Sequence, residues 1–286
     1  MSKKTDENKD IPTTGHSWDG IEEYDNPMPR WWVWVFYATI VWGIGYSIAY
    51  PAWPGIKSAT AGVLGFSTRA NVAADIQAQE DKLGPINAKL EAADLTAIVD
   101  DAELNGFAVS SGAAVFKTWC AQCHGSGAAG AVGYPNLLDN DWLWGGDIEN
   151  IYLTVKHGIR NEEDDDARYS QMTAFGDILE AEQIDEVVNF VMSLSGDPVD
   201  ASKVEAGAVV YEENCAACHM EDGTGDQFQG APNLADAIWL FGGDYDSIAQ
   251  TVKYSRFGVM PAWQPRLSEA QIRAVSLYVH QLGGGE

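Results

Sequence analysis

The feature that most restricts this chain is an internal repeat. Residues 112–124, GAAVFKTWCAQCH, line up with residues 207–219, GAVVYEENCAACH. Downstream, Pro135-Asn136-Leu137 matches Pro232-Asn233-Leu234, and Trp142-Leu143-Trp144-Gly145-Gly146-Asp147 matches Trp239-Leu240-Phe241-Gly242-Gly243-Asp244. Met172-Thr173-Ala174-Phe175 then aligns with Met260-Pro261-Ala262-Trp263, and Gln-Ile begins eleven residues beyond each methionine. Matches this numerous and in one order mark a tandem duplication, so whatever one copy folds into, the chain holds twice. The one large difference is an acidic insert in copy one, with Glu162, Glu163, Asp164, Asp165 and Asp166.

Each copy reads as helical. The segment before the second cysteine pair is expected to start at Ser202, with Glu205 three residues on as a capping box, and to carry Val204, Ala208 and Tyr211 inward. The last helix of copy two has a similar box at Ser268 and Gln271 and runs through Ile272, Val275, Leu277 and Val279. Its counterpart, Ala181 to Leu194, presents Ile184, Val187, Val188 and Val191. Asp147 and Asp244 are expected helix N-caps, and the tryptophan-rich runs before them are expected to line pockets. The alternation suited to a sheet is missing, so the class is all-α.

All four cysteines, Cys120, Cys123, Cys215 and Cys218, fall in two Cys-x-x-Cys pairs, and each pair is followed by a histidine, His124 or His219. Cys-x-x-Cys-His is the attachment signature of c-type haem. Two thiols add across the porphyrin vinyl groups, and the adjacent histidine becomes the proximal iron ligand. A zinc site built from both pairs would explain the thiols and leave both histidines without a role. A thioredoxin-like redox pair would need a βαβ setting, which neither motif has. Two covalently bound haem c groups are therefore expected.

Six-coordinate iron needs a second axial ligand, and Met172 and Met260 stand at equivalent places before the last helix of each copy. A thioether favours ferrous iron and raises the potential relative to bis-histidine ligation. Whether each methionine serves the haem of its own copy stays open at this level. Met192 aligns with His280 and reads as packing, Met220 adjoins His219 and cannot easily reach the opposite face, and His157 aligns with Tyr254 and reads as a surface residue. The aligned Pro135 and Pro232 are expected to offer carbonyls to the histidine Nδ1–H groups.

Trp31 to Tyr50, WWVWVFYATIVWGIGYSIAY, is 20 residues without a charge. At ~1.5 Å per helical residue it spans the ~30 Å of bilayer hydrocarbon. The polar run before it is too long and too acidic for a signal-peptide n-region, and Pro51-Ala52-Trp53-Pro54-Gly55 follows in place of a cleavage motif. It reads as an uncleaved anchor. Lys3, Lys4, Lys9 and Arg30 precede it against Lys57 and Arg69 after it, which puts the N-terminus in the cytoplasm. Residues 51–104 read as a connector with short helices at 74–83 and 86–93, broken at Gly84-Pro85. The net charge of −25 argues against nucleic acid. It suits a basic partner protein instead.

The stretch from His16 to Trp32, HSWDGIEEYDNPMPRWW, stands directly before the span. It resembles the N-terminal signature H-x-W-D-G-I-x-E-x-x-N-P-x-P-x-W-W of the dihaem subunit III (CcoP or FixP family) of bacterial cbb(3)-type cytochrome c oxidases. The resemblance covers essentially the whole chain. It implies a cytoplasmic tail (1–30), a transmembrane helix (31–50), a periplasmic connector (51–104) and two tandem class I cytochrome c domains (105–197 and 198–286). It also implies a single-pass protein of the bacterial inner membrane, embedded in the lipid bilayer, with both haem domains periplasmic. The family's methionine motifs carry over as Met172 and Met260, although copy one departs from Met-Pro-Ala-Trp at Thr173 and Phe175. The implied role is electron transfer without a catalytic centre of its own. Electrons would come from a cytochrome c donor and pass to the haem–copper catalytic subunit, in a complex that also holds a monohaem cytochrome c subunit. The acidic insert offers candidate docking charges for a basic donor. The rival readings are an independent anchored dihaem carrier, a dehydrogenase subunit, and a dihaem peroxidase with one open iron.

Overall fold

The computed structural model describes residues 12–286; Lys3, Lys4 and Lys9, which carry part of the charge bias, lie outside them. The chain divides after Lys82 into two compact units.

The first unit opens with a hairpin that the all-helical expectation did not contain. Strands β1 (Thr13–Trp18) and β2 (Ile21–Tyr24) pair antiparallel, with Trp18 opposite Ile21. The turn is Asp19-Gly20, both at positive φ (49° and 82°). An Asp-Gly pair with both residues left-handed gives the type I′ turn whose twist suits two strands. Helix α1 (Arg30–Ala49) follows, entered from Pro29 and closed before Pro51. It is long and apolar enough to cross a membrane, and none of its residues is buried. A loop folds back on its end through Val63 N–H to Ile48 O (2.9 Å) and Leu64 N–H to Ala49 O (3.1 Å).

Helix α2 (Thr68–Ala92) runs unbroken through Gly84-Pro85, where two short helices were expected. Pro85 is exposed, so water can take the place of the N–H that proline lacks, and the ring does not end the helix. The far end of α2 is not a bare spacer: Leu90 is fully buried and packs with Leu95, Ile98, Leu104 and Leu277.

Copy one contributes α3 (Ala102–Val115), α4 (Ala121–His124), α5 (Ile148–His157) and α6 (Ala181–Ser195). Copy two contributes α7 (Val204–Asn214), α8 (Ala216–His219), α9 (Tyr245–Tyr254) and α10 (Glu269–His280). The expected caps form at Asp147, Asp244 and the Ser268–Gln271 box. The box at Ser202 does not. There Asp200 accepts from the Ser202 N–H and α7 begins later, because a carboxylate two residues earlier competes for the same donor.

The helices pair across the repeat. The first helix of copy one, α3, lies on the last helix of copy two, α10, which also covers α5. The last helix of copy one, α6, lies on α7 and α9 of copy two. A glycine marks each crossing. A Cβ on Gly112 would stand 2.1 Å from Ala274 O, and one on Gly207 would stand 2.0 Å from Glu186 O. Two bundles result. One core joins Val115, Phe116, Ile151 and Val155 to Trp263, Ile272 and Val275. The other joins Ile184, Val187, Val188 and Val191 to Val210, Tyr211, Ile248 and Val252. Met192 packs against this second core, as expected.

Candidate functional site

Each Cys-x-x-Cys-His motif sits where the first helix of its copy ends. In copy one, α3 loosens into a π-turn, Phe116–Cys120, and α4 then carries Cys123 and His124. In copy two, Cys215 caps α7, and α8 carries Cys218 and His219. The first cysteine of each pair is half-buried and the second exposed, and no disulfide joins them. Before a haem is attached, burial, helped by the neighbouring Cys123 or Cys218, pushes the Cys120 and Cys215 thiols up to about 11.

The two histidines are held alike. His124 Nδ1 lies 3.0 Å from Pro135 O, and His219 Nδ1 lies 3.0 Å from Pro232 O. A carbonyl only accepts, so Nδ1 must carry the proton and Nε2 is left with its lone pair outward, which is what a metal-bound imidazole needs. Burial lowers the pKa of both rings against the weaker opposing pull of the proline carbonyls, favouring the neutral form.

The methionines stand crosswise to the sequence order. Met260 packs against the core that holds Cys120 and Ala121, while Met172 packs against the core that holds Cys215 and Ala216. The loops are placed by the neighbouring copy as well. Met260 pairs with Ile159, N–H to O in both directions at 2.9 and 3.0 Å. Met172 O accepts from Ser255 Oγ.

Other sequence readings change. The side chain of His157 is only 13% exposed, because Asp164 of the insert folds onto it at 3.2 Å. Asp164 itself is 5% exposed, so the centre of the insert is a structural group rather than a solvated docking charge. His16 lies on exposed β1. Met220 adopts positive φ (64°), and its carbonyl accepts from Tyr211 Oη (2.9 Å).

A pair of arginines escaped the sequence reading. Arg168 donates to Trp144 O (3.0 Å) and Thr154 Oγ1 (3.1 Å), and its guanidinium lies 5.4 Å from the Trp144 ring. Arg256 repeats this with Phe241 O (3.3 Å), Thr251 Oγ1 (2.7 Å) and the Phe241 ring (5.0 Å). The signal was present: each arginine stands four residues before the candidate methionine. Rings 144 and 241 also bridge the copies reciprocally, because Gly133 meets Phe241 and Gly230 meets Trp144.

These residues fit haem. Trp144 Nε1 is buried without a hydrogen-bond partner. Neither Arg168 nor Arg256 has a carboxylate within ion-pair distance among the described residues, and burial lowers the pKa of Arg168. A buried donor and two unpaired cations call for an anion, and a porphyrin propionate supplies one. Among the described residues the other buried atom without a partner is His280 Nδ1, whose ring is held through Nε2 by Glu286 O (2.9 Å).

Comparison with known proteins agrees. The family model described as the N-terminal domain of cytochrome oxidase-cbb3, FixP, matches residues 11–57. The cytochrome c model matches residues 109–195, and the model for cytochrome c oxidase, cbb3-type, subunit III matches residues 202–279. The cbb3-type cytochrome c oxidase subunit CcoP of Cereibacter sphaeroides is 62% identical over 277 residues, covering 96% of each chain. The chain belongs to the CcoP/FixP family. Two further members are similar over nearly their whole length: CcoP of Rhodobacter capsulatus (54% identical, 100% of both chains) and FixP of Rhizobium meliloti (48% identical, 99% and 98%). As a CcoP/FixP protein with two cytochrome c domains, the chain carries two covalently bound c-type haems.

Proposed function

We propose that this protein is the dihaem electron-transfer subunit of a cbb3-type oxidase. It takes electrons from a cytochrome c outside the cytoplasmic membrane and passes them towards the haem–copper subunit that reduces oxygen. Its other neighbour in the complex is a monohaem cytochrome c subunit. The observation that carries the reading is the doubled constellation of a Cys-x-x-Cys-His motif, a histidine fixed by a proline carbonyl, and a methionine in the same core.

One haem is held by Cys120, Cys123 and His124 with Met260 as the second ligand, the other by Cys215, Cys218 and His219 with Met172. Bound haem supplies a one-electron couple. These histidines and methionines would ligate the iron, leaving it no position for substrate. Arg168 and Arg256 would offset propionate charge and Trp144 Nε1 would donate to it, both of which would favour ferrous iron. The reciprocal rings of Trp144 and Phe241 provide a packed contact between the two halves.

Residues 31–50 anchor the protein in the inner membrane with the tail (1–30) cytoplasmic. The connector (51–104) and the cytochrome c copies (105–197 and 198–286) lie in the periplasm. The exposed Trp18, Ile21 and Trp31 at the membrane edge suit contact with the other subunits. Mild-detergent purification through a tag on this chain tests the reading. Recovery of a haem–copper core with two covalent haems per copy of this chain is expected. Isolation of the chain alone would favour an independent carrier.

A further inference from the structure

The acidic insert of copy one is the largest difference between the copies, and it folds against the loop that carries Met260. Asp164 stands at the centre. Its Oδ2 accepts from Gln264 Nε2 at 2.6 Å and its Oδ1 faces His157 Nδ1 at 3.2 Å. Gln264 follows the Met260-Pro261-Ala262-Trp263 turn, and His157 ends α5. Arg160 donates to Gly258 O (3.1 Å) on the other side of the methionine, and its guanidinium lies 5.6 Å from the Phe257 ring. The backbone pairing of Ile159 with Met260 lies between these two ties.

Met172 is held with less. Copy two has no insert between α9 and its own methionine loop; the Met172 carbonyl accepts from Ser255 Oγ, and Arg160 Nε donates to Ser170 O two residues before it. Ala174 is exposed and Phe175 half-buried beyond Met172, whereas the aligned Ala262 and Trp263 beyond Met260 are buried.

We infer that Asp164 is a positioning residue that fastens the Met260 loop, while Arg160 ties both loops, so that Met172 is the more readily displaced of the two methionines. The inference rests on the ligand assignment proposed above. It makes the His219 haem the one that gives way first to a competing ligand. Displacing a thioether requires its loop to swing away from iron, and each tie that must break or stretch raises the concentration of competitor needed.

The test uses the full-length chain in detergent, with imidazole as the competing ligand. Loss of the far-red band of sulfur-ligated ferric haem is followed. In the M172H background the remaining band reports Met260, and in the M260H background it reports Met172. The Met172 band is expected to disappear at about tenfold lower imidazole, the ratio that ~1.4 kcal/mol of extra fastening produces. Adding D164A to M172H is expected to bring the Met260 band down by a similar factor. D164N keeps an acceptor oxygen for Gln264 and is expected to restore most of the loss. Haem content per chain, measured alongside, reports whether each variant folds. Equal imidazole sensitivity of the two bands, or a Met260 band unmoved by D164A in haem-replete protein, overturns the inference. An M260A protein that keeps both sulfur bands overturns the ligand assignment itself, which is a separate result.

Discussion

Replacing Gly112 with alanine tests the crosswise pairing directly. The new Cβ would stand 2.1 Å from Ala274 O and 2.8 Å from Tyr278 Cβ. A carbon and a carbonyl oxygen settle at ~3.3 Å, so α3 and α10 must part by about 1 Å. A radial gap of that size forfeits up to about half of each dispersion contact across it. The side chains affected include Ile272, Val275 and Leu277, each 1% exposed or less. Overpacking of this kind costs about 3 kcal/mol at the upper end of its usual range. Alanine returns about 1 kcal/mol of helix propensity, which leaves a net loss of about 2 kcal/mol. In the M172H background, guanidinium unfolding followed at the sulfur-ligated haem band should show its midpoint fall by about 0.5 M, given a slope of ~4 kcal/mol/M. G207A in the same background should leave that band nearly unmoved, since its Cβ meets Glu186 O on α6. If G207A moves the Met260 band and G112A does not, the helices pair within copies and the crosswise fold is wrong.

Three shorter predictions follow from single groups. Asp141 is pushed up to about 6, mainly by burial and then by Asp236 and Asp139. A carboxyl whose folded value lies above its unfolded one favours folding only while protonated, so stability should fall as pH rises from about 4 to about 6. In D141N that decline should shrink, which denaturation across this window will check. W144F removes the buried donor assigned to a propionate. One haem potential should drop, by less than the ~40 mV that a full ~1 kcal/mol difference between oxidation states would give, and unchanged titrations of both haems would refute that assignment. G20V places a β-branched residue at φ 82° in the hairpin turn, at a cost of about 1–2 kcal/mol to an element that is marginal by itself. Tagged G20V chain should bring down less oxidase core while the pyridine haemochrome still reports two haems per chain.

What the sequence made legible was local. The histidine–proline carbonyl bonds, the caps at Asp147 and Asp244 and the Ser268 box each depend on a few neighbouring residues, and each forms. The Asp19-Gly20 hairpin and the arginines at 168 and 256 were equally local, but short polar strands and a lone basic residue are weak signals beside a cysteine motif. Pro85 misled, because a proline's effect depends on whether water can reach the carbonyl it strands. The pairing of helices was out of reach for a different reason. Copies that resemble each other offer the same apolar stripe twice, so α3 finds a plausible partner in α6 and in α10. The choice is made by connections and packing that no single copy encodes.

The interleaved helices have a consequence for how the molecule is made. The elements of the second bundle, from Met172 to the end of α9, form one continuous stretch, and the first bundle is split around it. A ribosome therefore delivers Cys120, Cys123 and His124 well before the segment with Met260 and α10 exists. In chain order the first motif stands open until α10 is made, whereas the later motif follows its covering helix, α6. The earliest site to be offered is the last to be sealed. Cutting between the copies would part α3 from α10 and α6 from α7 and α9, so each half would lose the helix contacts it makes in the whole chain.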